Sequence, residues 1–232
     1  GSGQRMEQDA LERLMGDPEA AKLWTLAEEA KALVRDLIAR HGIDCDLKPG
    51  VAHFGFTAAE MDELHHYADH LNTRYGYDRI EKLDRDAGQA LCPSPAYAGG
   101  TLDMGAGHLH PLNYALGLAR AAQGSGVRIH EATQVRRIDE GRPAVLHTDQ
   151  GRITADHVIL ACNGYLGGLS RKVAARVMPI NNFIAATEPL GDAVAKVLTR
   201  DVAVADTKFV VNYFRLSADG RLLFGGGESY GY

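Results

Sequence analysis

Apolar residues at Leu23, Leu26, Ala27, Ala30, Leu33, Val34, Leu37 and Ile38 recur three and four apart, which is one stripe of a long amphipathic helix. Asp17-Pro18-Glu19 predicts its start, with Asp as cap, Pro at the first helical position and acid in the first turn, and Gly42 predicts its end. A shorter helix is predicted over Glu7 to Met15. Thr57 followed by Glu60 is a capping box for a helix from Ala58 to Tyr75. Asp84 to Ala90 reads as a short helix, and Pro111 opens an apolar one over Leu112 to Gln123. Strands are expected on both sides of a Lys48-Pro49-Gly50 turn, at Tyr97 to Leu102 before the glycine-rich Met104 to His108, and at Val177 to Thr187. A short helix is expected at Ala193 to Leu198. Val210 to Leu216 and Arg221 to Phe224 make a hairpin around an Asp-Gly turn. Helices and strands alternate irregularly, so the class is mixed α/β or α+β.

Between Gly126 and Gly164 the pattern changes. Several short strands lead to an apolar strand, Val158 to Ala161, that runs into small residues and Gly164. A strand ending this way lets a backbone or ligand come close, as in the second half of a nucleotide-binding fold. The Gly-x-Gly-x-x-Gly turn that normally accompanies it is not found in these 232 residues.

Composition narrows the partners. A hydrophobic fraction of 45% is ordinary for a globular chain, and a net charge of -5 leaves no basic footprint for nucleic acid. No apolar run approaches the roughly 18 residues a membrane span needs. Cys45, Cys92 and Cys162 are odd in number and widely spaced, which favours a reducing, cytoplasmic setting over a disulfide framework. His66 and His70 stand one helical turn apart and His108 and His110 two residues apart, both usable spacings for a metal. Neither pair has an identifiable third ligand, and Asp62, Glu63 and Asp69 mark the first as a solvated face. No metal site is assigned. Met104-Gly-Ala-Gly-His108 lacks the Lys-Ser/Thr pair of a phosphate loop.

Several stretches together resemble the FAD-dependent oxidoreductases of the D-amino-acid oxidase superfamily, in particular its gamma-glutamylputrescine oxidoreductase-like branch. They are Gly3-Gln-Arg-Met6, Gly99-Gly-Thr101, His110-Pro-Leu-Asn-Tyr114, Val127 to Val135, Ala155 to Tyr165 and Tyr213 to Gly226. The resemblance implies a partial FAD-binding nucleotide fold plus a substrate domain with a mixed or antiparallel sheet and covering helices. In that scheme residues 1–42 enter the substrate domain and 43–103 form part of it. Residues 104–170 are a remnant of the FAD-binding domain, and 171–232 supply further substrate-domain strands. The family's N-terminal fingerprint and C-terminal segment have no counterpart here, so the sequence is expected to be the interior of a longer flavoenzyme. FAD is expected in the parent enzyme and only weakly held, or absent, in this stretch alone.

The resemblance also implies roles. Gln4, Val135, Ala161, Cys162, Asn163, Gly164, Gly225 and Gly226 fall where the family meets FAD: Val135 near the adenine, Ala161 to Gly164 near the pyrophosphate, the glycines near the isoalloxazine. Tyr213 and Arg215 fall where a phenol and a guanidinium orient substrate. No catalytic acid or base is assigned. The implied reaction is oxidation of the C–N bond of a small-molecule amine or amino acid, such as gamma-glutamylputrescine, with hydride passing to the flavin. A flavin-free binding module and a His-dependent metal hydrolase are the competing readings. The strand at Val158 to Ala161, if left at a sheet edge, is expected to pair with another copy of the chain.

Overall fold

The computed structural model describes residues 3–229. The described residues form two compact units, one within 3–124 and 183–227 and the other within 125–182 and 228–229.

The first unit begins with α1 (Gln8–Met15) and α2 (Asp17–His41), followed by β1 (Lys48–Gly55), α3 (Ala58–Tyr75), β2 (Ile80–Leu83), α4 (Arg85–Leu91), β3 (Gly99–His108) and α5 (Pro111–Gly124). Gly16, rather than Asp17, caps α2, and Gly42 closes it in the left-handed conformation. The capping box of α3 is complete: Thr57 Oγ1 accepts the Glu60 N–H at 3.2 Å while the Glu60 carboxylate accepts the Thr57 N–H at 2.8 Å. The Asp84 side chain caps α4 by accepting the Ala87 N–H at 2.8 Å.

The second unit holds β4 (Val135–Asp139), β5 (Ala144–Thr148), β6 (Arg152–Ala155) and α6 (Arg171–Ala174). The three strands form an antiparallel meander. The chain then forms β7 (Asn181–Pro189), β8 (Ala203–Asp206), β9 (Tyr213–Leu216) and β10 (Arg221–Ser229). Seven strands join in one sheet of order β2-β3-β1-β8-β9-β10-β7. β1 and β8 run parallel, whereas β2–β3, β3–β1, β8–β9 and β9–β10 are antiparallel.

Alternation sorts the sheet's side chains onto two faces. Ala52, Phe54, Leu102, Val204, Phe214 and Leu216 point one way and form a buried core with Leu91 and Leu198. Trp24, Leu71 and Tyr77 form a second cluster, with the Trp24 ring 5.0 Å from Tyr75 and 5.4 Å from Tyr77.

Several expected boundaries are corrected. Lys48-Pro49-Gly50 is not a turn between two strands. β1 runs straight through it, and the register slips between Pro49 and Val51. Between these pairs β1 advances from Pro49 to Val51 while β3 advances from Gly107 to Asp103, so the extra residues bulge from β3, and Gly50 takes φ +102 opposite them. The glycine-rich Met104 to His108 is strand, because its glycines sit where neighbours press close: a Cβ on Gly107 would fall 2.7 Å from the Lys48 carbonyl oxygen. The strand expected from Val177 starts at Asn181, after Pro179, and the helix expected from Ala193 is a 3-10 turn over Gly191–Lys196. Val158 to Ala161 is not a strand: among the described residues no neighbour pairs with it, and Ile159 is 89% exposed. The edge expected to recruit a second copy is therefore not a formed strand. β10 runs on through Gly225 to Ser229, while Tyr230 to Tyr232 lie outside the described residues.

Candidate functional site

The face of the seven-stranded sheet opposite the Phe54–Phe214 core carries the candidate chemistry. Register places Thr101 of β3 beside His53 of β1, His53 beside Ala205 of β8, Ala205 beside Tyr213 of β9, and Tyr213 beside Gly225 of β10. The neighbouring row reads Ile80, Asp103, Val51, Ala203. Arg215 and Leu223 lie opposite each other two residues farther along β9 and β10. Strands are spaced by about 4.8 Å, so His53 and Tyr213 stand roughly 10 Å apart with only the Ala205 methyl between them. Ala203, Ala205, Tyr213 and Arg215 are all partly open to solvent. Two large polar side chains thus wall a shallow floor made of alanine.

Tyr213, Arg215 and Gly225, singled out from the sequence, are brought together here. A Cβ on Gly225 would penetrate the Tyr213 ring, so only glycine lets that ring lie flat against β10. Gly226 points to the other side, where a Cβ would meet Asn212 Oδ1 at 3.0 Å. Among the described residues Arg215 spends one donor within the protein, Nη1 to the Leu216 carbonyl at 3.2 Å. Most of its five N–H groups remain for a ligand.

Beneath α3 this face opens into a cavity of about 390 Å³. Val51, His53, Thr101 and Asp103 line it from the sheet, Leu64, Tyr67, Ala68 and Leu71 from α3, and Gln4, Arg5, Met6 and Glu7 from the segment before α1. Gln4 is exposed there, its Nε2 donating to the Leu23 carbonyl at 3.1 Å. Asp103 is fixed through one oxygen only. Its Oδ1 accepts the Tyr77 hydroxyl at 2.7 Å and the N–H groups of Gly105 and Ala106 at 2.8 and 3.1 Å. His53 is exposed to solvent, and the protein packed around it still desolvates the ring in part. That desolvation lowers its pKa below 6.5, and the Asp103 carboxylate acts in the opposite direction. The imidazole is therefore neutral at neutral pH.

The remaining histidines do not form a site. His65 Nε2 lies 3.2 Å from the Leu83 and 2.8 Å from the Gly100 carbonyl, and His70 Nε2 lies 3.1 Å from a Glu12 oxygen. His108 is buried and His110 exposed. Among the described residues no group of three His, Cys, Asp or Glu side chains is placed to hold a metal ion. No described helix is long and apolar enough to cross a membrane. Burial raises the thiol pKa of Cys45 and Cys92, which keeps both protonated.

In the second unit, Val135 opens β4 opposite Thr148, half-buried, and a register slip follows it before Arg137. Ala161, Asn163 and Gly164 are exposed and Cys162 half-exposed. Asn163 takes φ +49 at the start of a 3-10 turn closed by the Tyr165 N–H to the Cys162 carbonyl at 3.0 Å. A Cβ on Gly164 would meet no atom within 4 Å. The side chains are small and the backbone is accessible, which is what close approach of a pyrophosphate requires. These residues fit that group.

His53, Thr101 and Asp103 were not singled out from the sequence. Val51-Ala-His-Phe54 alternates in a way that marks His53 as facing away from Phe54, but its nearness to Tyr213 depends on a parallel pairing with a strand 150 residues later in the chain.

Residues 6–232 match the sequence pattern of the family described as FAD dependent oxidoreductase. The chain is 39% identical over 231 residues to a probable oxidoreductase OrdL of Rhizobium meliloti, covering 99% of this chain and 54% of that protein. It is 36% identical over 225 residues to the gamma-glutamylputrescine oxidoreductase of Escherichia coli, covering 96% and 53%. The chain thus spans about half the length of the curated relatives it matches. The crystal structure of glycine oxidase from Geobacillus kaustophilus superposes with a TM-score of 0.68 at 22% identity, covering 89% of this chain and 56% of that one.

Proposed function

The chain belongs to the FAD dependent oxidoreductase family, and on that footing we propose that the protein it represents oxidises the C–N bond of a small amine or amino acid, with gamma-glutamylputrescine as a leading candidate substrate. The observation that carries this reading is the row His53–Ala205–Tyr213–Gly225 on the open sheet face. Bound FAD supplies the hydride acceptor.

The protein's own part is binding, orientation and proton placement. The reacting amine lies over Ala205. The Tyr213 hydroxyl hydrogen-bonds its nitrogen, and the neutral imidazole of His53 accepts an N–H from it. An amine must be uncharged at the moment it gives up a hydride, and a neutral base at this position favours that form. Arg215 takes a carboxylate where the substrate has one, by the bidentate geometry its guanidinium allows. By the family resemblance, Val135 would offer backbone to the adenine, Ala161, Cys162, Asn163 and Gly164 would offer backbone to the pyrophosphate, Gly225 and Gly226 would allow close approach of the isoalloxazine, and Gln4 would belong to the cofactor-binding residues. Because Val158 to Ala161 has no ladder partner among the described residues, we expect this stretch of chain alone to hold FAD weakly.

Incubating the full-length protein, loaded with FAD, with a panel of primary amines and amino acids tests the reading. Formation of an aldehyde or keto acid with release of ammonia is the expected result. No carbonyl product from any member would overturn it.

A further inference from the structure

The carboxylate of Asp206 has no role in the chemistry above, yet it stands at the end of the strand that floors the site. We propose that Asp206 and Asn212 form a clamp across the mouth of the β8–β9 hairpin and so position the Tyr213 phenol for the amine. This rests on the amine-oxidoreductase reading and adds two positioning residues to it.

Three observations lead to it. First, the pair brackets the site: Asp206 follows Ala205, Asn212 precedes Tyr213, and Ala205 and Tyr213 are themselves register partners. Second, Asp206 is an acid only 4% exposed, and the groups that hold it come from the loop it closes. Its Oδ1 accepts the N–H groups of Asn212 and Lys208 at 3.0 and 3.2 Å, and its Oδ2 accepts Asn212 Nδ2 at 2.6 Å. Its own N–H donates to the Asn212 carbonyl at 3.1 Å, and the next N–H, of Thr207, ties the loop to the Phe54 carbonyl at 3.1 Å. Among the described residues no ion pair offsets the Asp206 charge, since the Lys208 ammonium lies over the Phe56 ring, 4.9 Å from its centre. A buried carboxylate is costly without a cation, so these charge-assisted hydrogen bonds carry its burial and fix Asn212 firmly. Third, Gly226 leaves room for the Asn212 amide, because a Cβ there would come within 3.0 Å of its Oδ1. The clamp therefore lies on one face of the hairpin and the Tyr213 ring on the other. A shift of Asn212 moves the backbone on which the phenol stands.

The test puts Asn212→Asp into the FAD-loaded, full-length protein, where it sets a second carboxylate against the first. At saturating amine, reduction of the flavin should slow about tenfold, the scale of one disturbed hydrogen bond to a charged group. Adding Asp206→Asn restores a carboxylate–amide pair with its direction reversed and should recover most of the rate. In the Tyr213→Phe background Asn212→Asp should slow reduction by less than about twofold, because the clamp acts through the phenol. A merely structural role slows both backgrounds alike, and that result would overturn the proposal. A readout without turnover is fluorine NMR of protein labelled with fluorotyrosine. The Tyr213 signal, assigned by its loss in Tyr213→Phe, should move in Asn212→Asp and return in the paired variant, and an unmoved signal overturns the proposal equally. Should Asn212→Asp fail to fold, Asn212→Ala removes the amide without adding charge and is read in the same two ways. Equal slowing in both backgrounds would leave the oxidoreductase reading standing and remove only the clamp. A Tyr213 signal that moves and returns in a protein that no amine reduces would do the reverse.

Discussion

Tyr213 lies directly across the β9–β10 ladder from Gly225, its ring occupying the space that any side chain at position 225 would need. The glycine is thus part of the site, because it sets the height of the phenol above the sheet.

Gly225→Ala is expected to displace the Tyr213 ring. Overpacking of this kind costs about 1–3 kcal/mol, so urea unfolding should show a lower midpoint with little change in slope. Amine affinity should fall along with it. A variant with unchanged stability and unchanged amine binding would show that the ring does not depend on the glycine.

The second expectation concerns pH. His53 and His108 both have folded-state pKa values lowered from 6.5 by desolvation. For His53 the facing charge is Asp103. For His108, Asp201 raises the value while Arg215 and Lys48 lower it. A base with a depressed folded pKa binds protons more readily when unfolded. The stability of the neutral forms is therefore fully present above pH 6.5 and is lost as pH falls through the lower folded values. Titration of the imidazole protons by NMR should give both midpoints below 6.5. A midpoint at or above 6.5 for His53 would contradict the lowering by desolvation.

Local features of the chain were readable because they depend on near neighbours. Thr57 and Glu60 announce α3, Pro18 and Gly42 bracket α2, and Asp219-Gly220 sets the β9–β10 hairpin. Tyr213 was visible through the family resemblance, and Arg215 because it lies two residues on, on the same face of the strand. β2 and β8 were not foreseen. β8 reads Ala-Val-Ala-Asp, and its identity as a strand comes from pairing with β1 and β9. Val158 to Ala161 has the composition of a strand and lacks a partner among the described residues. Gly50 and Gly107 were read as turn and loop because a glycine that makes room for a neighbouring strand looks the same in sequence as one that turns the chain.

Gly164 gives a test in the second unit that does not involve the substrate. A side chain there meets open space, so Gly164→Val should leave unfolding within about 0.5 kcal/mol of the parent. If the pyrophosphate approaches this backbone, FAD affinity measured by fluorescence titration should drop by roughly tenfold or more. Unchanged affinity would place the pyrophosphate elsewhere.

The central claim, that Tyr213 orients an amine for oxidation, is tested most directly by anaerobic reduction of the FAD-loaded, full-length protein. Mixing with the best amine should bleach the visible absorption of oxidised flavin. In Tyr213→Phe the starting flavin spectrum should be nearly unchanged while bleaching slows by several-fold to about a hundredfold, the range for losing one hydrogen bond worth about 0.5–3 kcal/mol. Identical bleaching rates in the two proteins across the amine concentration range would contradict the account.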